Sequence, residues 1–423
     1  MTTAAAGLAP ARTVLPNGTV LLVKETRKTP AVSLSVVMRA GSICDPADAP
    51  GASYLLSRVI DRGTTTRSGA AIADELDNRG ISLNTFLTRH LFSLVCTCLT
   101  EDMEPILELL ADIATAPTVP DDELATRKGE VITLLRQDED SPAVRAVEEL
   151  MALLYGPAHP YGRRQKGTIA AVEQLTRTQL LELHAARFVP GALTVVVVGD
   201  VDGSRVAAIV ERVFGSWPVA SPPPVALLPP PPPTARRREV IPMMNKSQAD
   251  IAYGFTTIAR ADPEYYAYSL MNNALGQYAI GGRLGDSIRE RQGMAYYVSS
   301  SFDANVIAGP LTIRAGVSAA NVDRAIASID EELAALRRDG INAKELNESR
   351  QYMIGSLPRA LETNAGIAQF LLSAELFGLG LDYDLRLPDL LRQVTLDDVH
   401  AAAVRSLDPE RATVVVAGPY PER

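Results

Sequence analysis

Residues 174–200, QLTRTQLLELHAARFVPGALTVVVVGD, align without a gap with residues 393–419, QVTLDDVHAAAVRSLDPERATVVVAGP. Each stretch opens on Gln-x-Thr, continues with apolar residues at helical spacing, and carries a proline four residues before Thr-Val-Val-Val. Pro190 matches Pro409, Thr194 matches Thr413, and Gly199 matches Gly418. A valine block alone could arise by chance. The block, the proline and the Gln-x-Thr in one register point to a duplicated unit, a helix feeding a buried strand at the end of each copy.

The segment between the copies supports a division into two. In SPPPVALLPPPPPTARRRE, residues 221–239, eight of the chain's 29 prolines fall between Pro222 and Pro233. Such a run can enter neither a helix nor a central strand, so an extended, semi-rigid spacer is expected. The expected organisation is an N-terminal half over residues 1–220, the proline-rich linker over 221–239, and a C-terminal half over 240–423. With 423 residues, 47% of them hydrophobic and 22% charged, there is material for more than one globular core.

The formal net charge of −9 argues against a nucleic-acid partner. No apolar run is long enough to span a membrane, and Val195–Val198 reads as a short strand. The start, MTTAAAGLAPAR, shows neither the basic opening nor the apolar run of a secretory signal. The cytoplasm is the expected compartment; the periplasm stays open if a signal precedes this numbering.

Within the first half, TVLLVKE and AVSLSVVMRA read as the two arms of a hairpin around Pro30. Helices are expected from Gly51, from Ser68 and from Glu101, with a strand pair in SLNTFLTRHLFSLVCTCL. The second half repeats the scheme: a strand in DIAYGFTTI, a helix from about Asp262 to Ala274, the loop QYAIGGRL, a further helix, then strands. Strands and helices interspersed in this way predict an α+β fold made twice, each half a mainly antiparallel sheet with helices packed on one face.

Three cysteines, Cys44, Cys96 and Cys98, are too few and too odd for a disulfide framework. Cys96 and Cys98 share one side of a strand, and His90 is near in sequence. No fourth ligand follows at zinc spacing, so small apolar residues packed in a sheet is the favoured reading. The segment GASYLLSRVIDRGT, residues 51–64, reads as a helix running into a Gly-Thr stop. Tyr54, Ser57 and Arg58 stand at i, i+3 and i+4 on one face of it.

The chain resembles the pitrilysin/insulinase family of zinc metallopeptidases, and most of all its bacterial and mitochondrial-processing-peptidase type. The residues that carry the resemblance are GASYLLSR-x(4)-GT, LNTFLTR at 83–89, GGRLGDSIRERQGMAYYVSS at 281–300, and the duplicated Pro-x(3)-Thr-Val-Val-Val ends. That family holds zinc through H-x-x-E-H on a helix, two imidazoles gripping the metal and the carboxylate serving as general base. Here the matching positions are Tyr54, Ser57 and Arg58, so all three roles are vacant. The family's third ligand is a glutamate on a later helix. The matching stretch from residue 130, EVITLLRQDED, offers Val131, Ile132, Thr133, Leu134 and Leu135, and no carboxylate is expected at the metal. An arginine would also repel a dication. The four histidines, His90, His159, His184 and His400, are too scattered to build another H-x-x-E-H and read as ordinary surface or partly buried imidazoles. No metal is expected in this chain.

The resemblance also implies an arginine and a tyrosine, spaced R-x(6)-Y, that reach the substrate carbonyl from the second half. Both are present as Arg289 and Tyr296. A helix stopping at Gly293 and turning into a strand would bring them onto one surface, where they could bind substrate and donate to a developing oxyanion. LNTFLTR is the implied peptide-binding edge strand, with Asn84 and Phe86 near the peptide; with the metal positions vacant, a structural role is expected for these two.

Loss of the metal residues beside retention of the arginine and tyrosine is the pattern of a complementary subunit. The expected function is that of a non-zinc-binding subunit of a heterodimeric metallopeptidase, inactive alone. It would act in trans with a related zinc-bearing chain on unfolded peptide, the zinc being held by that partner. The alternatives are an inert structural subunit like the core proteins of the cytochrome bc complex, and a homodimeric peptide-binding module.

Overall fold

The computed structural model describes residues 7–277 and 282–421. Residues 278–281, which hold half of the QYAIGGRL loop, lie outside the described residues. Among the described residues eleven strands form two sheets. The first contains β1 (Ala11–Val14), β2 (Val20–Glu25), β3 (Ala31–Met38), β4 (Asn84–Leu87), β5 (Phe92–Leu99) and β6 (Leu193–Gly199), in the order β1-β2-β6-β3-β5-β4. The second contains β7 (Arg237–Pro242), β8 (Ala249–Thr256), β9 (Ala295–Phe302), β10 (Pro310–Val317) and β11 (Thr413–Gly418), in the order β7-β11-β8-β10-β9. Apart from β1, the orders match strand for strand. The one parallel pair described in each sheet is equivalent too, β2 with β6 and β7 with β11. The duplication read from the ends of the two halves is therefore a duplication of topology, and the α+β expectation holds.

The expected hairpin does not form. β2 and β3 are separated by β6, which pairs in parallel with β2 through Val20↔Thr194 and antiparallel with β3 through Val37↔Thr194. Burial explains the insertion. Val195, Val196, Val197 and Val198 are all buried, so neither face nor either edge of this strand suits solvent, and a continuous β-branched run belongs in a sheet centre.

Packing groups the chain into two compact units. One comprises residues 1–136, 164–226 and 357–384, and the other residues 137–163, 227–356 and 385–423. In the first unit, helices Met103–Thr115 and Gly203–Phe214 lie against the sheet. The opposite face of β6 and β3 is covered by helix Asn364–Leu376, whose Ile367, Ala368, Leu371 and Leu372 pack with Leu22, Val37, Val196 and Val198. In the second unit, Ile251, Tyr253 and Phe255 of β8 face a core built by helices Tyr265–Asn272, Val322–Asp339 and Leu396–Ser406. The other side of β8 and β11 carries helix Pro142–Tyr155. Leu150 of that helix reaches so close to Gly254 that a Cβ there would stand 2.9 Å from its Cδ2. Each sheet thus has helices on one face, as expected, and one further helix on the other.

Candidate functional site

Helix Ala52–Val59 starts at Gly51, whose φ of +92° suits glycine. A Cβ there would lie 2.5 Å from the Lys166 carbonyl oxygen. The first turn is held by Asp45, whose carboxylate accepts from the Gly51 and Ser53 backbone N–H groups at 2.8 Å each. Ala52, Leu55, Leu56 and Val59 are buried, which leaves Tyr54 half-buried and Arg58 exposed beside the edge strand β4.

None of the three motif positions has the chemistry of a metal ligand site. Ser57 is buried, and its hydroxyl donates to the Tyr54 carbonyl at 2.7 Å, within its own helix. Arg58 points toward Glu130 on helix Asp121–Glu139, with N and O 3.8 Å apart. The residue types from 130 onward predict no carboxylate at the metal, but Glu130, at the start of that stretch, faces Arg58. Of the later positions in that stretch, Val131 and Leu135 are buried in the helix's packed side and Thr133 is exposed.

Arginines have closed around this carboxylate. Arg127 binds both Glu130 and Glu123, the latter at 3.2 Å. The hydrogen bond from Arg127, then its charge and those of Arg58 and Arg62, hold the Glu130 carboxyl below its usual range. Asp61 adds a third carboxylate, 3.2 Å from Arg62, with burial pushing its pKa up. Among the described residues no group of three His, Cys, Asp or Glu side chains is arranged to hold a metal. Charge that a metal would balance is balanced here by guanidinium groups.

The remaining candidates for ligation are dispersed. Cys96 and Cys98 pair across the sheet with Leu34 and Val32, are buried, and have their thiol pKa values pushed by burial up to about 12. His159, His184 and His400 each bond a backbone carbonyl, of Leu228, Ala114 and Arg337. His90 and His184 are buried rather than surface imidazoles, and burial lowers the pKa of both, that of His90 to about 4.

Asn84 and Phe86 occupy alternate, outward positions on β4, an edge strand paired only with β5. Asn84 is exposed and Phe86 is 56% exposed. Among the described residues no strand lies beside the outer edge of β4.

Arg289 and Tyr296 lie at the equivalent edge of the second sheet. Arg289 is on the π-wound turn Gly285–Arg291, half-exposed, and its Nε stands 3.1 Å from Glu290. The turn ends at Gly293, with φ of +60°. Gly293 N–H donates to the Arg289 carbonyl and Met294 N–H to that of Ile288, both at 3.1 Å. These spans are one residue longer than those of a Schellman cap, as a π-wound end requires.

Tyr296 sits in a β-bulge. β9 pairs with β10 through Val317↔Ala295 and Gly316↔Tyr297, which leaves Tyr296 between the rows without a partner. Continuing the regular register would place Tyr296 opposite Val317 and turn it toward the buried face. The extra residue sends small Ala295 inward instead, and Tyr296 emerges 82% exposed. Nothing in the alternation of AYYVSSSF announces this, because the bulge depends on what the neighbouring strand presents.

Residues 20–158 match the family model described as "Insulinase (Peptidase family M16)", and residues 174–353 match "Peptidase M16 inactive domain". A protein named an uncharacterized zinc protease in Mycobacterium tuberculosis is 30% identical over 423 residues, covering 98% of this chain and 94% of the relative. The crystal structure of a peptidase M16 inactive domain from Pseudomonas fluorescens is 28% identical, with a TM-score of 0.89 over 98% of this chain and 99% of that one. A protease from Helicobacter pylori, only 16% identical, shares the fold with a TM-score of 0.88 over 96% and 99%. On these matches across nearly its whole length, the chain belongs to the insulinase (M16) peptidase family.

Proposed function

We propose that this chain is the zinc-free subunit of a heterodimeric metallopeptidase of the mitochondrial-processing-peptidase type. It would supply Arg289 and Tyr296 to peptide bound at the zinc centre of a related chain. The observation that carries the reading is a contrast between two helix–edge-strand corners. At the corner by β4 the metal positions hold Tyr54, Ser57 and Arg58, and Arg58 is turned to Glu130. At the corner by β9 the family's tyrosine is raised out of the sheet by a bulge, accessible and without a structural partner in register.

An exposed phenol and a half-exposed guanidinium are suited to bind a peptide carbonyl and to donate to its oxyanion. Neither group can activate water without a metal or base. Hydrolysis therefore falls to the partner, and the substrate is an unfolded peptide able to lie along an edge strand. The partner's zinc is the only cofactor the reaction needs.

A quenched fluorescent peptide tests this with the chain alone, with the related H-x-x-E-H chain alone, and with the mixture. Activity is expected only in the mixture. Arg289→Ala or Tyr296→Phe should lower kcat by roughly a hundredfold or more. Equal cleavage by wild-type and substituted mixtures would leave this chain as a scaffold, and zinc-dependent cleavage by the chain alone would refute the vacant-site reading.

A further inference from the structure

The second sheet contains a cross-strand row that ends beside the bulge. Gly316 of β10 is paired with Tyr297 of β9 on one side and with Asp250 of β8 on the other. A Cβ on Gly316 would come within 2.5 Å of the Tyr297 Cε1 and 2.9 Å of its Cδ1, so the ring lies over the glycine. The Tyr297 hydroxyl donates to the Asp250 carboxylate. Two strand spacings, about 9–10 Å, are thus bridged by one long side chain, one short one, and none between.

The neighbours favour this arrangement. Arg314, two residues from Gly316 on the same face, has its guanidinium 6.0 Å from the Tyr297 ring centroid. Burial raises the Asp250 carboxyl, and the bond from Tyr297 and the charge of Arg314 oppose that rise. Burial, and after it the Asp250 contact, push the Tyr297 phenol up to about 12. The phenol keeps its proton at neutral pH and is a donor to Asp250.

A bulge can slide along its strand, because moving the extra residue by one exchanges similar ladder bonds. A slide here would turn Tyr296 toward the buried face or carry Tyr297 off Gly316. We propose that the Tyr297–Gly316–Asp250 row is a register lock for the bulge, making Tyr297 and Asp250 positioning residues for Tyr296. The lock is a property of this chain alone; its consequence for peptide cleavage rests on the function proposed above.

The test is amide hydrogen exchange on the isolated chain, with Tyr253 and Val414 as reference amides for the integrity of the sheet. Tyr297→Phe and Asp250→Leu are expected to speed exchange at Tyr296 and Tyr297 by tenfold or more with the reference amides unchanged. Asp250→Asn, which keeps an acceptor, should stay within about threefold of wild type. In the active mixture, Tyr297→Phe should lower kcat about tenfold with little change in KM. It should have no further effect in a Tyr296→Phe background. Unchanged exchange at Tyr296 in Tyr297→Phe, or equal exchange in Asp250→Asn and Asp250→Leu, would overturn the lock. If the wild-type mixture does not cleave peptide, the trans-acting function fails, and the exchange rates alone decide the lock.

Discussion

The Arg58 guanidinium stands 3.8 Å from the Glu130 carboxylate, joining helix Ala52–Val59 to helix Asp121–Glu139. The pair is half-exposed and contributes little to stability, on the order of 0.5 kcal/mol. Its interest is geometric, because a carboxylate already faces Arg58, which the proposed function reads as the position of an imidazole.

On that reading a metal site should be installable here. The triple substitution Tyr54→His, Ser57→Glu, Arg58→His should confer binding of one zinc per chain, measurable by titration calorimetry and by metal analysis. Adding Glu130→Gln should weaken that binding at least tenfold, as expected on losing one of three protein ligands. Zinc binding insensitive to Glu130→Gln would show that another group completes the site.

Acid sensitivity is expected near the Gly63-Thr64 stop. Asp112 accepts from the Thr64 and Thr66 hydroxyls at 2.6 Å and from Arg67 at 2.7 Å. Burial raises its pKa, but these bonds and the charge of Arg67 outweigh it, so the folded value lies below the ordinary one. A depressed folded pKa contributes stability above the unfolded value of about 3.9, and loses it as pH falls through the folded one. Asp112→Asn should therefore cost about 1–3 kcal/mol at pH 7. The gap between variant and wild type, read from urea midpoints, should close as pH drops below about 4. A gap that does not narrow at all as the pH falls below about 4 would contradict this assignment.

Two substitutions probe the helices on the second faces of the sheets. Gly254→Val places branches where Leu150 already stands and should cost about 1–3 kcal/mol, with Leu150→Ala relieving part of the loss in the double variant. Leu371→Ala empties a position 1% exposed between helix Asn364–Leu376 and the first sheet, for about 2–5 kcal/mol. Thermal denaturation of the single and double variants measures both. Additive effects of Gly254→Val and Leu150→Ala would mean that they do not share a contact.

Much of the architecture was legible in the chain because the signals are local. Gly51 and Ser68 begin helices through backbone conformation and capping, Ser68 accepting from the Ala71 N–H as expected of such a residue, whereas the helix from Gly51 already ends at Val59, before Gly63 and Thr64. The absence of an H-x-x-E-H is legible for the same reason, since a metal motif on one helix turn is set by residue types three and four apart. Less legible was pairing. TVLLVKE and AVSLSVVMRA looked like a hairpin because adjacency in sequence is the only pairing evidence a single chain offers, whereas β6, more than 150 residues away, satisfies both.

By itself, then, the sequence determined that the chain is made of two related halves, the family resemblance, the absence of an H-x-x-E-H and the presence of Arg289 and Tyr296. Only the tertiary structure decided that helices Pro142–Tyr155 and Asn364–Leu376 each cover a sheet from the other side of the proline-rich stretch. It alone set Glu130 against Arg58, and lifted Tyr296 out of the sheet beside a glycine that lets Tyr297 reach Asp250. The physical reason is common to all three. Burial, ion pairing and strand register depend on residues far apart in the chain, whose energies exist only once the backbone has brought them together.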